Sequence, residues 1–293
     1  MLRLYGIVAR GWMNRKNFDT AERQKARADV AGRQPAIVVT GGSRGIGLEI
    51  ARTFLTNGHI VLIIARDAAS LTAEVANLNS LARGRCHALA LDVTAPVAAT
   101  RIDEALQHAG LYCDVLVNNA AIGVSGPFTE NAETDVEALF ALNVAALTRL
   151  MHAQLPGMLA RGSGGVINLA SLGGYVPGPH QAAYYASKAY VLSLSEAVAA
   201  EVSGRGVNIC AIAPGPIDTR FHEDMRAEHA IYRRFLPALT PAHVAAAAYR
   251  GFTNGQRVVV PGLHYRFAFL SLRLLPHFIS VPLTAILLKN PER

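Results

Sequence analysis

From residue 36 to about residue 261 the chain alternates between two hydrophobic textures. Short, continuous apolar runs rich in Val and Ile occur at 36–40, 60–65, 86–91, 114–118, 165–170, 207–213 and 257–261. Runs of this kind predict strands buried on both faces, the condition of a parallel sheet. Longer Ala- and Leu-rich stretches at 46–57, 70–82, 97–109, 134–160 and 183–203 predict helices between them. Strand and helix in alternation, with right-handed crossovers, imply a single α/β domain built on a doubly wound parallel sheet of about seven strands. No internal repeat or second domain boundary interrupts it.

Three stretches depart from the alternation. Residues 1–34 hold eight basic and three acidic residues, so +5 of the chain's net +7 sits ahead of the first strand. The expectation is a solvated basic leader, with no nucleic-acid partner. Residues 216–242 lack strand character and carry Pro237 and Pro241 near their end. An insert of this length in a compact domain is read as a lid or a mobile loop. Residues 263–293 form an apolar extension, of which 267–288 (FAFLSLRLLPHFISVPLTAILL) is long enough to span a bilayer. Arg273, Pro276, His277 and Pro282 interrupt it, so peripheral membrane contact or packing on a second subunit is expected instead.

Composition then narrows the chemistry. With 51% hydrophobic and 17% charged residues, the chain can bury a large core. Cys86, Cys113 and Cys210 lie far apart without a C-x-x-C pair, which excludes a disulfide framework and fits a cytoplasmic, reducing compartment. The ten histidines show no metal-ligand spacing.

The first strand runs into TGGSRGIG at 40–47, with Gly41, Gly45 and Gly47 around Ser43, Arg44 and Ile46. Between a strand and a helix, such a loop fits a nucleotide phosphate, because glycines allow close backbone approach and the helix start offers free N–H groups. The second strand ends Ile64-Ala65-Arg66, with Ala65 where an acid would favour NAD. Arg44 and Arg66 suit a 2′-phosphate, so NADP (NADPH) is favoured. Asp67 is close enough to meet the ribose, which keeps NAD as the alternative.

Downstream, Tyr184 and Lys188 are spaced i, i+4 and share a helix face. A nearby ammonium should lower the phenol's pKa toward operating pH and make Tyr184 an acid–base group for a carbonyl oxygen. Ser171 stands at the end of the fifth strand, where ligands of such sheets bind.

With LDV at 91–93, NNAA at 118–121, Asn143 in ALNV, Ser171 in INLAS, YYASK at 184–188 and PGPIDT at 214–219, the stretch from Thr40 to about Gly262 resembles the single-domain short-chain dehydrogenase/reductase family, which has a Rossmann fold. The resemblance implies a catalytic tetrad of Asn143, Ser171, Tyr184 and Lys188. In it Lys188 binds the nicotinamide ribose and Asn143 holds a relay water. It also implies that Asp92 and Val93 contact adenine and that Asn119, Ala120 and Ala121 line the cofactor cleft. Pro214, Gly215, Ile217 and Thr219 would meet the nicotinamide end. Asn118 is read as bracing the sheet, and Tyr185 and Ser187 as helix packing. The ending VVVPGLHYRFAFLSLRLLPHF resembles a ketoacyl-reductase-like, lipid-associated subgroup.

The expectation is an NADP(H)-dependent carbonyl reductase or alcohol dehydrogenase, working as a homo-oligomer on a small, lipophilic substrate such as a 3-oxoacyl thioester. An NAD-dependent alcohol dehydrogenase and a catalytically silent, membrane-associated cofactor-binding regulator are the other readings.

Overall fold

The computed structural model describes residues 20–225, 231–232 and 237–289. Residues 1–19 of the basic leader, 226–230 and 233–236 of the expected lid, and 290–293 lie outside the described residues. Seven strands form one parallel sheet: β1 (Gln34–Thr40), β2 (Ile60–Ala65), β3 (Cys86–Ala90), β4 (Leu111–Asn118), β5 (Gly165–Leu169), β6 (Asn208–Ile212) and β7 (Val258–Val259). Their order across the sheet is β3-β2-β1-β4-β5-β6-β7. The winding reverses between β1 and β4, and a crevice opens at the carboxyl ends of those two strands.

β1 shows why its sequence reads as an unbroken apolar run. Ile37 and Val39 join one core cluster, while Ala36 and Val38 join another on the opposite face. Each layer of helices therefore takes alternate residues of the same strand. The helices are α1 (Thr20–Ala28), α2 (Gly45–Thr56), α3 (Ala68–Leu81), α4 (Ala98–His108), α5 (Glu133–Phe140), α6 (Leu147–Arg161), α7 (Ala182–Glu201), α8 (Phe221–Asp224), α9 (Pro241–Thr253), α10 (Leu263–Leu274) and α11 (His277–Leu288). Cys86, Cys113 and Cys210 are all buried and free.

Several sequence expectations change shape. The single helix foreseen at 134–160 is interrupted by a π-helical turn, Ala141–Ala146. The extra residue in that turn lets a backbone-seeking side chain, Asn143, leave the helical ladder's ordinary phase. The whole stretch Glu133–Arg161 has the length and composition of a membrane span, yet its second half packs on β4 and β5 as a helix flanking the sheet. The last strand shrinks from 257–261 to two residues. The leader is not wholly solvated, because α1 packs on α6. The apolar tail is two helices of 12 residues each, parted at Pro276. At 1.5 Å per residue each is about 18 Å long, well short of a bilayer's hydrocarbon core.

A polar chain braces the middle of the sheet. Asn118 Nδ2 donates to Asn168 Oδ1 at 2.9 Å, and Asn168 Nδ2 donates to Ser195 Oγ at 2.9 Å. All three residues are buried. It ties β4 and β5 to α7, the helix that carries Tyr184 and Lys188. Asn168→Ala should strand the buried Asn118 amide and cost about 2 kcal/mol of folding free energy. Urea denaturation checks this, and an unchanged midpoint and slope would count against the brace.

Candidate active site

The front of the crevice is built from the ends of β1 and β4. Thr40 Oγ1 donates to the Val117 carbonyl at 3.2 Å and accepts from the Asn119 and Ala120 amides at 3.0 and 3.1 Å. Asn119 Nδ2 donates in return to the Thr40 and Gly41 carbonyls at 2.9 and 3.1 Å. These bonds leave little room around the glycine loop. Gly41 has φ +64°, the left-handed region. A Cβ on Gly47 would lie 2.3 Å from the Gly41 carbonyl oxygen and 2.4 Å from Asn119 Nδ2. Arg44 occupies the cap position of α2 but gives it no side-chain capping bond. The first-turn N–H groups thus face the loop without a protein side chain on them, which fits a pyrophosphate. Ser43 and Ile46 lie on either side, with Ile46 packed against the core.

On the adenosine side, Ala65 closes β2 and Arg66 is exposed. Asp67 caps α3, accepting from the Ala69 amide at 3.0 Å and from the Ser70 hydroxyl. Those bonds hold its carboxyl below the usual range and engage both of its oxygens. Asp92 accepts from the Thr94 hydroxyl and amide at 2.7 and 2.8 Å. With a smaller contribution from Arg66, these hold its carboxyl low as well. Val93 beside it is buried, and Ala120 and Ala121 are half-buried along the cleft.

The reacting end assembles from four elements. Ser171 follows β5 and caps a short 3₁₀ turn, accepting from the Gly173 amide at 3.1 Å. Tyr184 and Lys188 come from α7 on one face, with the Lys188 ammonium 5.7 Å from the Tyr184 ring centre. Lys188 is buried and donates to the Leu169 carbonyl at 2.8 Å. Burial pulls its pKa down to about 8. Asn143 is buried in the π turn. Its Oδ1 accepts from the Ile122 amide at 3.0 Å and its Nδ2 donates to the Ile122 carbonyl at 2.8 Å.

The phenol does not follow the expectation drawn from spacing. Tyr184 is pushed above the ordinary tyrosine value by desolvation, opposed by a hydrogen bond with Ser171. Desolvation also disfavours the lysine's charge, so the lysine does not overcome it here.

Ser187, expected only to pack, does more. It is fully buried, donates to the Tyr184 carbonyl at 2.7 Å and accepts from Asn143 Nδ2 at 3.2 Å. It thereby joins the π turn to the turn of α7 that carries Tyr184. Thr40 was equally missed as a site residue. The only local signal for either was its place inside a quoted motif.

The far wall comes from 214–225. The Leu172 amide donates to the Pro214 carbonyl at 3.0 Å. A Cβ on Gly215 would sit 2.4 Å from the Tyr265 ring. Ile217 is buried in the core. The Thr219 methyl lies 3.5 Å from where a Gly45 Cβ would stand. α8 then lies across the crevice. The Phe221 ring is 5.5 Å from the Tyr184 ring, Met225 packs on Gly123, and Asp224 pairs with Arg44 at 2.7 Å. Arg44 is therefore engaged by an exposed carboxylate from the opposite wall, which its sequence position did not foretell.

The chain matches the short chain dehydrogenase family over residues 35–230. It is 31% identical over 225 residues to the ketoacyl reductase HetN of a Nostoc species, covering 76% of this chain and 77% of that one. It is 34% identical over 218 residues to the L-tagatose-forming galactitol 2-dehydrogenase of Cereibacter sphaeroides, covering 72% and 84%. Among solved structures, a short-chain dehydrogenase from Sphingobium yanoikuyae in complex with NADPH superposes with a TM-score of 0.72 at 31% identity, over 81% of this chain and 92% of that one. Sequence match and sheet topology agree: the chain belongs to the short-chain dehydrogenase family, NAD(P)-dependent oxidoreductases acting on CH–OH groups.

Proposed function

We propose that the protein reduces a lipophilic ketone or aldehyde with NADPH, or oxidises the matching alcohol, with Tyr184 as the acid–base residue. The observation that carries this reading is the convergence of Ser171, Tyr184, Lys188 and Asn143 at the carboxyl ends of β4 and β5, beside the glycine loop. The bound nicotinamide supplies or accepts the hydride. Ser171 Oγ positions the substrate oxygen, and Tyr184 Oη gives it a proton in reduction and takes one in oxidation. Lys188, held beneath Tyr184 by the Leu169 carbonyl, is proposed to bind the nicotinamide ribose. Asn143 and Ser187 hold the 122 loop and α7 in register, and Asn143 is proposed to seat a relay water.

NADPH is favoured over NADH because two arginines, Arg44 and Arg66, flank an adenosine site that lacks an acid at Ala65. Asp67, the group that would favour NAD, is already occupied as a helix cap. The proposed adenine contacts are Asp92 and Val93, with Asn119, Ala120 and Ala121 along the cleft. Pro214, Gly215, Ile217 and Thr219 are assigned the nicotinamide end. A lipophilic substrate follows from the apolar character of Phe221, Tyr185 and Tyr232 around Tyr184. A 3-oxoacyl thioester is a candidate, and one relative is named a ketoacyl reductase. The enzyme is proposed to act in the cytoplasm as a homo-oligomer. Peripheral contact with lipid is proposed through the tail. There Leu274, Phe278 and Ile286 are exposed, and no acidic residue occurs from Leu263 to Lys289.

Three measurements test this reading. Tyr184→Phe should bind NADPH normally and more tightly than NADH by fluorescence titration, yet lose turnover at least about a hundredfold. Near-normal rates in that variant would sink the mechanism, and equal dissociation constants would sink the cofactor preference.

Lys188 also has a pH signature in the free protein. Its folded pKa of about 8 lies below its unfolded value, so above pH 8 the unfolded chain binds the extra proton there and the Lys188 contribution to stability rises with pH. Cys86, Cys113 and Cys210, whose thiols burial pushes up, and Tyr184 oppose it, because each ionises in the unfolded chain while the folded group keeps its proton. Lys188→Met should make stability fall more steeply between pH 8 and 10 in denaturant titrations, and an unchanged slope would refute this assignment.

Flotation of the full chain with phosphatidylcholine vesicles, with and without phosphatidylglycerol, should show binding that strengthens with the anionic lipid. No flotation on either vesicle overturns the lipid contact.

A further inference from the structure

The extension after β7 grips the 216–242 segment on both of its flanks. From α10, Tyr265 is fully buried, and its hydroxyl donates to the Pro237 carbonyl at 2.7 Å. The same ring fills the space beside Gly215 that a Cβ would need. From α11, Thr284 Oγ1 donates to the Pro177 carbonyl at 2.9 Å, which pins the helix to the loop between the Ser171 turn and α7. The Ile231 amide donates to the Lys289 carbonyl at 3.3 Å, just past the helix end. Leu288 and Tyr232, both buried, pack together with Leu287 and Tyr185. Tyr185 in turn lies with its ring 6.2 Å from that of Tyr184, and Phe221 approaches Tyr184 from the other side.

These contacts form a continuous path from the tail to the catalytic phenol. Leu288 packs with Tyr232, Tyr185 packs against that pair, and Tyr185 stands beside Tyr184. The opposite face of α11, with Phe278, Leu283 and Ile286, is exposed. The inner face is thus built to pack on the site, with Ser280, Thr284 and Leu288 turned inward at i, i+4 spacing. An apolar wall next to a reacting carbonyl discriminates substrates by the volume it leaves.

We propose that α11 is the outer wall of the substrate site, and that Leu288, acting through Tyr232 and Tyr185, sets the bulk of the carbonyl compound accepted. This rests on the reading of Tyr184 and Ser171 as the reacting centre. Leu288 is a positioning residue, since it packs in the cluster with Tyr232 against which Tyr185 rests.

The test uses the full chain and two substrates of the same chemistry, acetophenone and 2-acetylnaphthalene. Leu288→Ala should raise the ratio of kcat/KM for the larger ketone over the smaller by about tenfold. The NADPH dissociation constant should stay unchanged. An unaltered ratio overturns the proposal. A second measurement stands apart from turnover. By hydrogen exchange of the free protein, Leu288→Ala and Thr284→Val should each speed exchange of the Ile231 amide about tenfold, with the amides of β1 and β4–β6 unaffected. Unchanged Ile231 exchange in both variants also overturns it. Loss of protection in the strands would mean that α11 supports the whole domain rather than this wall, and would overturn it equally. If the unmodified protein reduces no carbonyl while Ile231 responds as expected, the proposed reaction fails but the wall stands.

Discussion

The crevice exists because the ends of β1 and β4 are stitched together by one hydroxyl and one amide. Thr40 Oγ1 bridges Val117, Asn119 and Ala120, while Asn119 Nδ2 returns to Thr40 and Gly41. In a doubly wound sheet these two strands are neighbours whose following helices leave in opposite directions. Without a side-chain bridge, their carboxyl ends would present unpaired backbone groups to an open cleft. The bridge satisfies those groups and sets the height of the glycine loop. It also explains why Gly47 has no room for a Cβ. The floor of the cleft and the glycine loop are one hydrogen-bonded object.

Burial governs the electrostatics of the reacting end. Both Tyr184 and Lys188 are shifted toward their neutral forms by desolvation. A phenol and an amine packed together in a low-dielectric site each resist ionisation more than either would in water. A phenol held protonated is ready to give a proton to a carbonyl oxygen. The lysine, still close to its titration point, stays responsive to a hydroxyl or phosphate brought beside it. Ser187 and Asn143 add no charge. Their contribution is geometric, because they fix the α7 backbone at Tyr184 to the π turn.

The extension after β7 packs back onto the wall of the site. Its two helices have an outward apolar face and an inward face that meets the wall of the site. The pairing of Arg44 with Asp224 links the same wall to the glycine loop. Both are exposed, so the pair is worth little to stability. It does place the residue proposed to meet a 2′-phosphate in contact with the segment whose Phe221 lies beside Tyr184.

Much of this was legible along the chain. Continuous Val- and Ile-rich runs marked β1, β2 and β6 because a strand buried on both faces has no polar side to show. The glycine loop and the Tyr184–Lys188 pair were legible because their geometry is local, a tight turn and one helical turn. Ser187, Thr40 and the role of the tail were not. Their partners lie 44, 77 and 107 residues away, in Asn143, Val117 and Pro177. Periodicity could not show that an apolar helix turns Thr284 and Leu288 inward, since hydropathy is blind to what an apolar face meets. Nor could spacing show the sign of the Tyr184 shift, because desolvation is summed over every atom packed around the phenol. Local backbone and periodicity chemistry is written residue by residue, whereas burial and long-range hydrogen bonds exist only once the chain has closed on itself.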